Sequence, residues 1–200
     1  PCLELDFWRF SSDQIAEYQA LQIQILRQIC PEKSITTNLM GFDFQDIDYF
    51  QLARPLDYVS WDNYPLFVPR EPADVALSHA TMRGLKNRPF WVMEQQAGPA
   101  GWQTMGRTPK PGQLRLWAYQ ALAHGADAIV YFRWRTCPFN TEEFWHGVLD
   151  HDGAPRRRYE EVARMGAELA RVGDDFLGGV LPKAVAMIIS YDDSFALRLQ

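Results

Sequence analysis

The chain has 200 residues, with 20 Lys and Arg against 25 Asp and Glu, for a formal net charge of −5. At 47% hydrophobic and 22% charged residues it can bury a sizeable core, which excludes intrinsic disorder as the dominant state. The mild acidic balance supplies no electrostatic footprint for nucleic acid or an anionic membrane surface, and neither is expected as a partner.

In chain order, Ser11-Ser12-Asp13 can cap a helix, and Ile15, Ala16, Tyr18, Leu21, Ile25, Leu26 and Ile29 follow at helical spacing until Pro31. Ser34 to Met40 is short and partly β-branched, closed by Gly41, and predicts a buried strand. Asp46 to Leu56 predicts a helix broken near Pro55, and Asp57 to Asp62 a second strand ended by Asn63-Tyr64-Pro65. Ala73 to Leu85 is a third helical segment. Pro89 to Glu94 is a third strand, followed by a long loop with Gly98, Gly101, Gly106, Pro109, Pro111 and Gly112. Gln113 to His124 predicts a helix stopped by Gly125, and Ala126 to Arg135 a fourth strand. After a loop around Pro138 to Pro155, Arg158 to Phe176 predicts a fifth helix. From Leu181 the texture changes, and Lys183 to Ser190 reads as the first strand of a new domain.

Four apolar strands separated by helices predict an α/β fold with a parallel sheet covered on both faces. Either a doubly wound sheet or part of a (β/α)₈ barrel would fit, and the lack of a G-x-G-x-x-G or P-loop pattern weakens the nucleotide-binding version. Polar and aromatic residues gather near the strand ends: Asn38, then Asp62, Asn63 and Tyr64, then Glu94, Gln95 and Gln96, then Arg133, Trp134 and Arg135. In a barrel those ends form the face on which active sites are built. The three cysteines, Cys2, Cys30 and Cys137, are widely spaced with no C-x-x-C pair, which argues against a disulfide framework or a zinc knuckle. No apolar run approaches the roughly 20 residues needed to span a bilayer, and no secretory signal is expected at the front. Both ends read as cuts through a longer protein.

Glu94 is the sharpest candidate. It follows four apolar or aromatic residues, and a carboxylate there is tolerable only where the strand opens into a polar pocket. The pattern leaves open an ordinary strand-end Glu paired with Arg or Lys. Retaining glycoside hydrolysis needs two carboxylates flanking the scissile bond, and aromatic platforms beside a strand-end carboxylate point to a sugar. Trp102, Phe132 and Trp134 are candidate platforms, although core packing explains each of them equally well when taken singly. Glu142 and Glu143 follow the fourth strand, where they could accept from sugar hydroxyls or stand as helix N-terminal acids. His146 and His151, with Asp150 and Asp152 nearby, lack the H-E-x-x-H pattern and carry little weight as a metal site. Arg156-Arg157-Arg158 is read as a solvated or interface run.

Six segments then fall in a familiar order: LDFWRFSSD at 5–13, ITTNLMG at 35–41, SWDNYP at 60–65, FWVMEQQAGPAGWQ at 90–103, GADAIVYFRWR at 125–135 and EEFWHGVLDHDG at 142–153. This series resembles the catalytic barrel of glycoside hydrolase family 42, the bacterial and archaeal β-galactosidases. The resemblance implies a retaining β-galactosidase on a (β/α)₈ TIM barrel, with the four strands being its fifth to eighth, over residues 1–180. It implies Glu94 as nucleophile, Trp102 as a sugar-contacting residue, Phe132 in the galactose pocket and Glu142 as a carboxylate binding galactose hydroxyls. Where the family often has a His three residues after that Glu, this chain has Trp145, with His146 next, and both are carried as substrate-binding candidates. The family acid/base, a Glu preceded by Asn at the end of the fourth strand, is expected upstream of these residues. Residues 181–200 resemble the start of a flavodoxin-like α/β domain used in trimer formation. A galactoside substrate, no cofactor, a cytoplasmic homotrimer and inactivity of the 200 residues alone are the corresponding expectations. Two alternatives stand beside this one: a non-catalytic galactoside-binding half-barrel that keeps Trp102, Phe132 and Glu142 as contacts, and a metal-dependent barrel hydrolase using His146 and His151.

Overall fold

Parallel strands cannot be joined by tight hairpins, and each step of the chain supplies a helical crossover instead. In the computed structural model, which describes residues 2–67, 70–102, 106–177, 179–182 and 184–198, the elements alternate accordingly. They are α1 (Cys2–Ile29), β1 (Asn38–Leu39), α2 (Tyr49–Ala53), β2 (Ser60–Asn63), α3 (Pro72–Lys86), β3 (Phe90–Gln96), α4 (Gln113–Ala123), β4 (Ala126–Phe132), α5 (Arg157–Val172), a 3-10 turn at Gly173–Asp175, and α6 (Tyr191–Leu197). The four strands form one sheet in the order β1-β2-β3-β4, every neighbour parallel. This is the expected α/β fold with a parallel sheet. Strand order follows chain order without reversal, so the sheet lacks the switch point at which doubly wound folds bind their ligands. All four C-terminal strand ends therefore lie along one rim.

One face of the sheet supplies the main core. Leu39, Val59, Trp61, Phe90 and Val92 pack with Tyr49, Leu52 and Ala53 of α2, Val75 and Met82 of α3, and Ala121 of α4. Trp61 is fully buried, with its ring edge-on to His79 at 5.0 Å. Gly41 turns past it at φ +90°, and a Cβ there would lie 2.9 Å from the Trp61 ring, so both conformation and space require glycine. Tyr191 and Phe195 of α6 join the same core, with the Tyr191 ring 5.7 Å from that of Tyr49.

Four expectations about elements are corrected. The helix placed after Ser11-Ser12-Asp13 begins at Cys2, because neither serine caps it. Ser11 Oγ donates back to the Phe7 carbonyl, and the buried Ser12 hydroxyl accepts from the Asp48 N–H, so residues 3 to 10 are part of the helix. The first strand shrinks to Asn38–Leu39 because side chains replace ladder bonds upstream. Ile35 N donates to Asp57 Oδ2, Thr36 Oγ1 to the Tyr58 carbonyl, and Ser60 Oγ to the Thr37 carbonyl. The fourth strand ends at Phe132 rather than Arg135. Of the strand expected over Lys183 to Ser190, Lys183 lies outside the described residues and 184–190 joins no strand among them, with Ile188 96% exposed. Chain direction is recovered at α6, where Ser190 Oγ accepts from Asp193 N as an N-cap.

Helix α4 shows how the helical layer is fixed. Its N-cap is Gly112, which offers no side chain, and the cap comes from α5 instead. Glu161 Oε1 accepts from the N–H groups of Leu114 and Arg115 at 3.1 and 3.3 Å, while Oε2 meets Arg157 at 3.1 Å. The Glu161 side chain is only 8% exposed. Glu161→Ala is expected to cost about 2–3 kcal/mol, since it strips the buried Leu114 N–H and the partly buried Arg115 N–H of a charged acceptor. Urea unfolding with an unchanged m-value would check it.

Candidate active site

The site grows from an irregularity in β3. Trp61 pairs with Val92, but the next β2 residue, Asp62, pairs with Glu94, so Met93 is skipped. On the other side, pairing with β4 passes from Val92 opposite Ile129 to Gln95 opposite Tyr131. Both neighbours thus pass over one β3 residue at the same place. A single inserted residue re-aims the side chains around it, and here it sets Glu94 beside Asp62 on the strand-end rim.

Both Glu94 oxygens are engaged from neighbouring strands. Tyr64, just past β2, donates its hydroxyl to Oε2 at 2.5 Å, and Asn38 of β1 donates its amide to Oε1 at 3.3 Å. Burial, then the hydrogen bond to Glu94, holds the Tyr64 phenol well above its usual range, so it remains the donor. Burial, then the charge of Glu94, pushes the Asp62 carboxyl up to about 7, against an opposing hydrogen bond from Asn38. The other Asp62 oxygen, Oδ1, is buried and has no hydrogen-bond partner in the structure.

An aromatic cup adjoins this pair. Trp145 is its centre, 7% exposed, with ring centroids of Tyr64, Phe67 and Trp102 at 4.8, 4.9 and 4.9 Å and of Phe132 at 6.4 Å. Arg133 lies over the Phe132 ring at 4.8 Å and forms an ion pair with Glu142 at 3.1 Å, without hydrogen-bond alignment at that nitrogen. Of the site residues expected from the sequence, Glu94, Trp102, Phe132 and Trp145 are therefore linked through Tyr64, and Glu142 joins through Arg133.

His146 is placed differently. Its Nδ1 faces Asp150 at 3.4 Å, its ring meets that of His151 at 5.1 Å, and a Cβ on Gly98 would lie 2.7 Å from its own Cβ. Asp150 is also bound by Arg158 and Arg156. Burial lowers the His146 pKa, more than the Asp150 hydrogen bond raises it. This network anchors the loop after β4 against the loop after β3. Trp134 is exposed and packs on Tyr159 at 6.0 Å, outside the cup. Gln95 and Gln96 are buried braces: Asn63 donates to Gln95 Oε1, Leu66 N to Gln96 Oε1, and Gln96 Nε2 to the Gly98 carbonyl. Among the described residues, no group of three or more His, Cys, Asp or Glu is arranged to hold a metal ion.

The direct partners of Glu94, namely Tyr64, Asn38 and Asp62, were visible in the sequence only as polar strand ends. Their common position at the C-terminal rim of a parallel sheet was the signal, and only the register turned it into contacts.

The two tryptophans of the cup invite a contrast. Trp102 is 54% exposed and borne on a loop, so Trp102→Ala should change unfolding free energy by less than about 1 kcal/mol. Trp145→Ala should cost about 3–5 kcal/mol, as for a buried aromatic truncation. Paired denaturation curves would check both.

Comparison with known proteins follows the same direction. A family model for family 42 glycosyl hydrolases, described as beta-galactosidase, matches residues 1–172. A beta-galactosidase from Thermus thermophilus is 40% identical over 212 aligned residues, covering 98% of this chain and 32% of that protein. One from Clostridium cellulovorans is 38% identical, covering 100% and 31%. Among solved structures, a beta-galactosidase from Bacillus circulans sp. alkalophilus superposes with a TM-score of 0.91 at 38% identity, covering 98% of this chain and 29% of that one. The chain spans about a third of the length of the curated relatives it matches. No helix among the described residues is long and apolar enough to cross a membrane.

Proposed function

Since this chain belongs to the family 42 glycosyl hydrolases described as beta-galactosidases, we propose that it is the nucleophile-bearing part of a retaining enzyme acting on terminal β-D-galactosides. The observation that carries the reading is Glu94, set by the β3 irregularity beneath an aromatic cup, with Tyr64 and Asn38 on its two oxygens. In this reading Glu94 attacks the anomeric carbon, the bond to the aglycone oxygen breaks, and a galactosyl ester forms. A second carboxyl group, upstream of these residues, protonates the leaving oxygen and later activates the water that hydrolyses the ester.

The other side chains divide the remaining work. Tyr64 and Asn38 fix the direction from which Glu94 attacks, a positioning effect. Trp102, Phe132 and Trp145 offer flat apolar faces to the sugar ring, and Glu142 accepts from its hydroxyls. His146, engaged with Asp150, serves the sugar by holding the segment that carries Trp145. No cofactor takes part.

The architecture we propose is strands five to eight of a (β/α)₈ barrel over residues 1–180, for which the unreversed strand order is the support. Residues 181–200 open a flavodoxin-like unit that assembles the protein as a homotrimer. The three free cysteines suit a reducing, cytoplasmic setting. The test is a 2-deoxy-2-fluoro-galactoside with a good leaving group, offered to the full-length protein. Covalent label on the peptide containing Glu94 is expected, and label elsewhere overturns the assignment.

A further inference from the structure

We propose that Asp62 is a positioning residue that works as a neutral acid, holding its proton beside Glu94 so that a single negative charge sits on the rim. The inference rests on the galactosidase reading for its kinetic part only. Its geometry stands alone: Asp62 and Glu94 are register partners on adjacent strands, brought together by the skipped Met93. The Asn38 amide donates to Glu94 Oε1, and Asp62 Oδ1 is buried with no hydrogen-bond partner. Two ionised carboxylates so placed would repel at short range in a partly desolvated site, and the ordinary resolution is that one keeps its proton.

The choice of which one follows from their partners. Glu94 receives donors on both oxygens, from Tyr64 and Asn38, whereas Asp62 carries a buried oxygen, Oδ1, with no donor. The charged group acting on Asp62 is Glu94 on β3, Asp62 in turn raises the phenols of Tyr64 after β2 and Tyr49 on α2, and none of the three is a cation. Arg133 beyond β4 is paired with Glu142. Burial and the Glu94 charge together place the Asp62 titration at about 7, well above its ordinary value.

Two consequences follow with definite signs. A carboxyl group whose folded pKa is raised favours the fold below its unfolded pKa and loses that contribution as pH rises through its folded pKa. The wild type therefore loses stability between roughly pH 4 and 7 that an Asn at this position does not lose. Turnover should also depend on the protonated form, since ionisation would place a second charge against the nucleophile.

The experiment uses the full-length protein and Asp62→Asn, with Asp62→Ser as a second neutral variant should Asn fail to fold. At pH 8 the variant should melt about 2 °C or more above the wild type, and at pH 4 the difference should vanish. At pH 6 its kcat should stay within about threefold of the wild type, while the fall in wild-type kcat around pH 7 should move to higher pH in the variant. An equal melting difference at both pH values, or an alkaline limb unmoved by the substitution, overturns the proposal. If the fluorosugar fails to label Glu94, the galactosidase reading falls, and the melting comparison still decides the carboxyl pair by itself.

Discussion

Replacing Glu94 by Ala in the full-length protein is expected to lower turnover of a nitrophenyl β-galactoside by more than about a thousandfold. A retaining mechanism has no substitute for its nucleophile, because the covalent intermediate is the step that splits one difficult displacement into two easier ones. The fold should tolerate the change. Glu94 lies at the rim, its donor Tyr64 is only partly buried and its donor Asn38 is exposed, and removing the charge relieves the crowding of Asp62. Loss of activity through unfolding is thus separable from loss of the attacking oxygen. The separating measurement is rescue: azide entering the vacated space should restore part of the rate and yield the galactosyl azide of inverted anomeric configuration. An unrescued variant with native unfolding behaviour would assign Glu94 another role, and a rate within tenfold of the wild type would remove it from the chemistry.

What the sequence made legible, and what it concealed, has a physical pattern. Strands of a parallel sheet read as largely apolar runs, so Phe90 to Met93 and Ala126 to Phe132 were visible without any partner. A carboxylate at the end of such a run is conspicuous for the same reason, since its desolvation demands an explanation. The concealed features are all relations between distant residues. Nothing in the one-dimensional pattern marks the skipped Met93, yet that insertion decides that Glu94 rather than Met93 faces Asp62. The Tyr64–Glu94 bond joins residues 30 apart in the chain, and the Glu161 cap of α4 joins residues 47 apart. The shortened first strand was hidden by side chains of Thr36, Asp57 and Ser60 that take the place of ladder bonds. His146 entered as a sugar-binding candidate only through the family resemblance, and its contact with Asp150 joins residues that the pattern does not pair.

The 200 residues expressed alone are expected to hydrolyse no galactoside at a useful rate and to associate with one another. Both parts follow from what surrounds Glu94 and α1. A retaining pair places its carboxyl groups about 5 Å apart with the scissile bond between them. Asp62 cannot be the second member, because as the register partner of Glu94 on the adjacent strand it stands beside the nucleophile rather than across the scissile bond from it. Glu142 is tied to Arg133 beyond β4. Association follows from apolar surface: Leu3, Phe7, Phe10, Tyr18, Leu21 and Ile29 are all exposed along α1, and β1 and β4 are open sheet edges. In relatives about three times as long, there is ample further chain to cover such a face. Light scattering on the purified 200-residue chain should therefore report species larger than a monomer, and a nitrophenyl β-galactoside should remain intact. A monodisperse monomer would show that α1 tolerates its exposure. Turnover within about tenfold of a typical kcat of ~10 s⁻¹ would mean that a carboxyl group within these residues completes the pair.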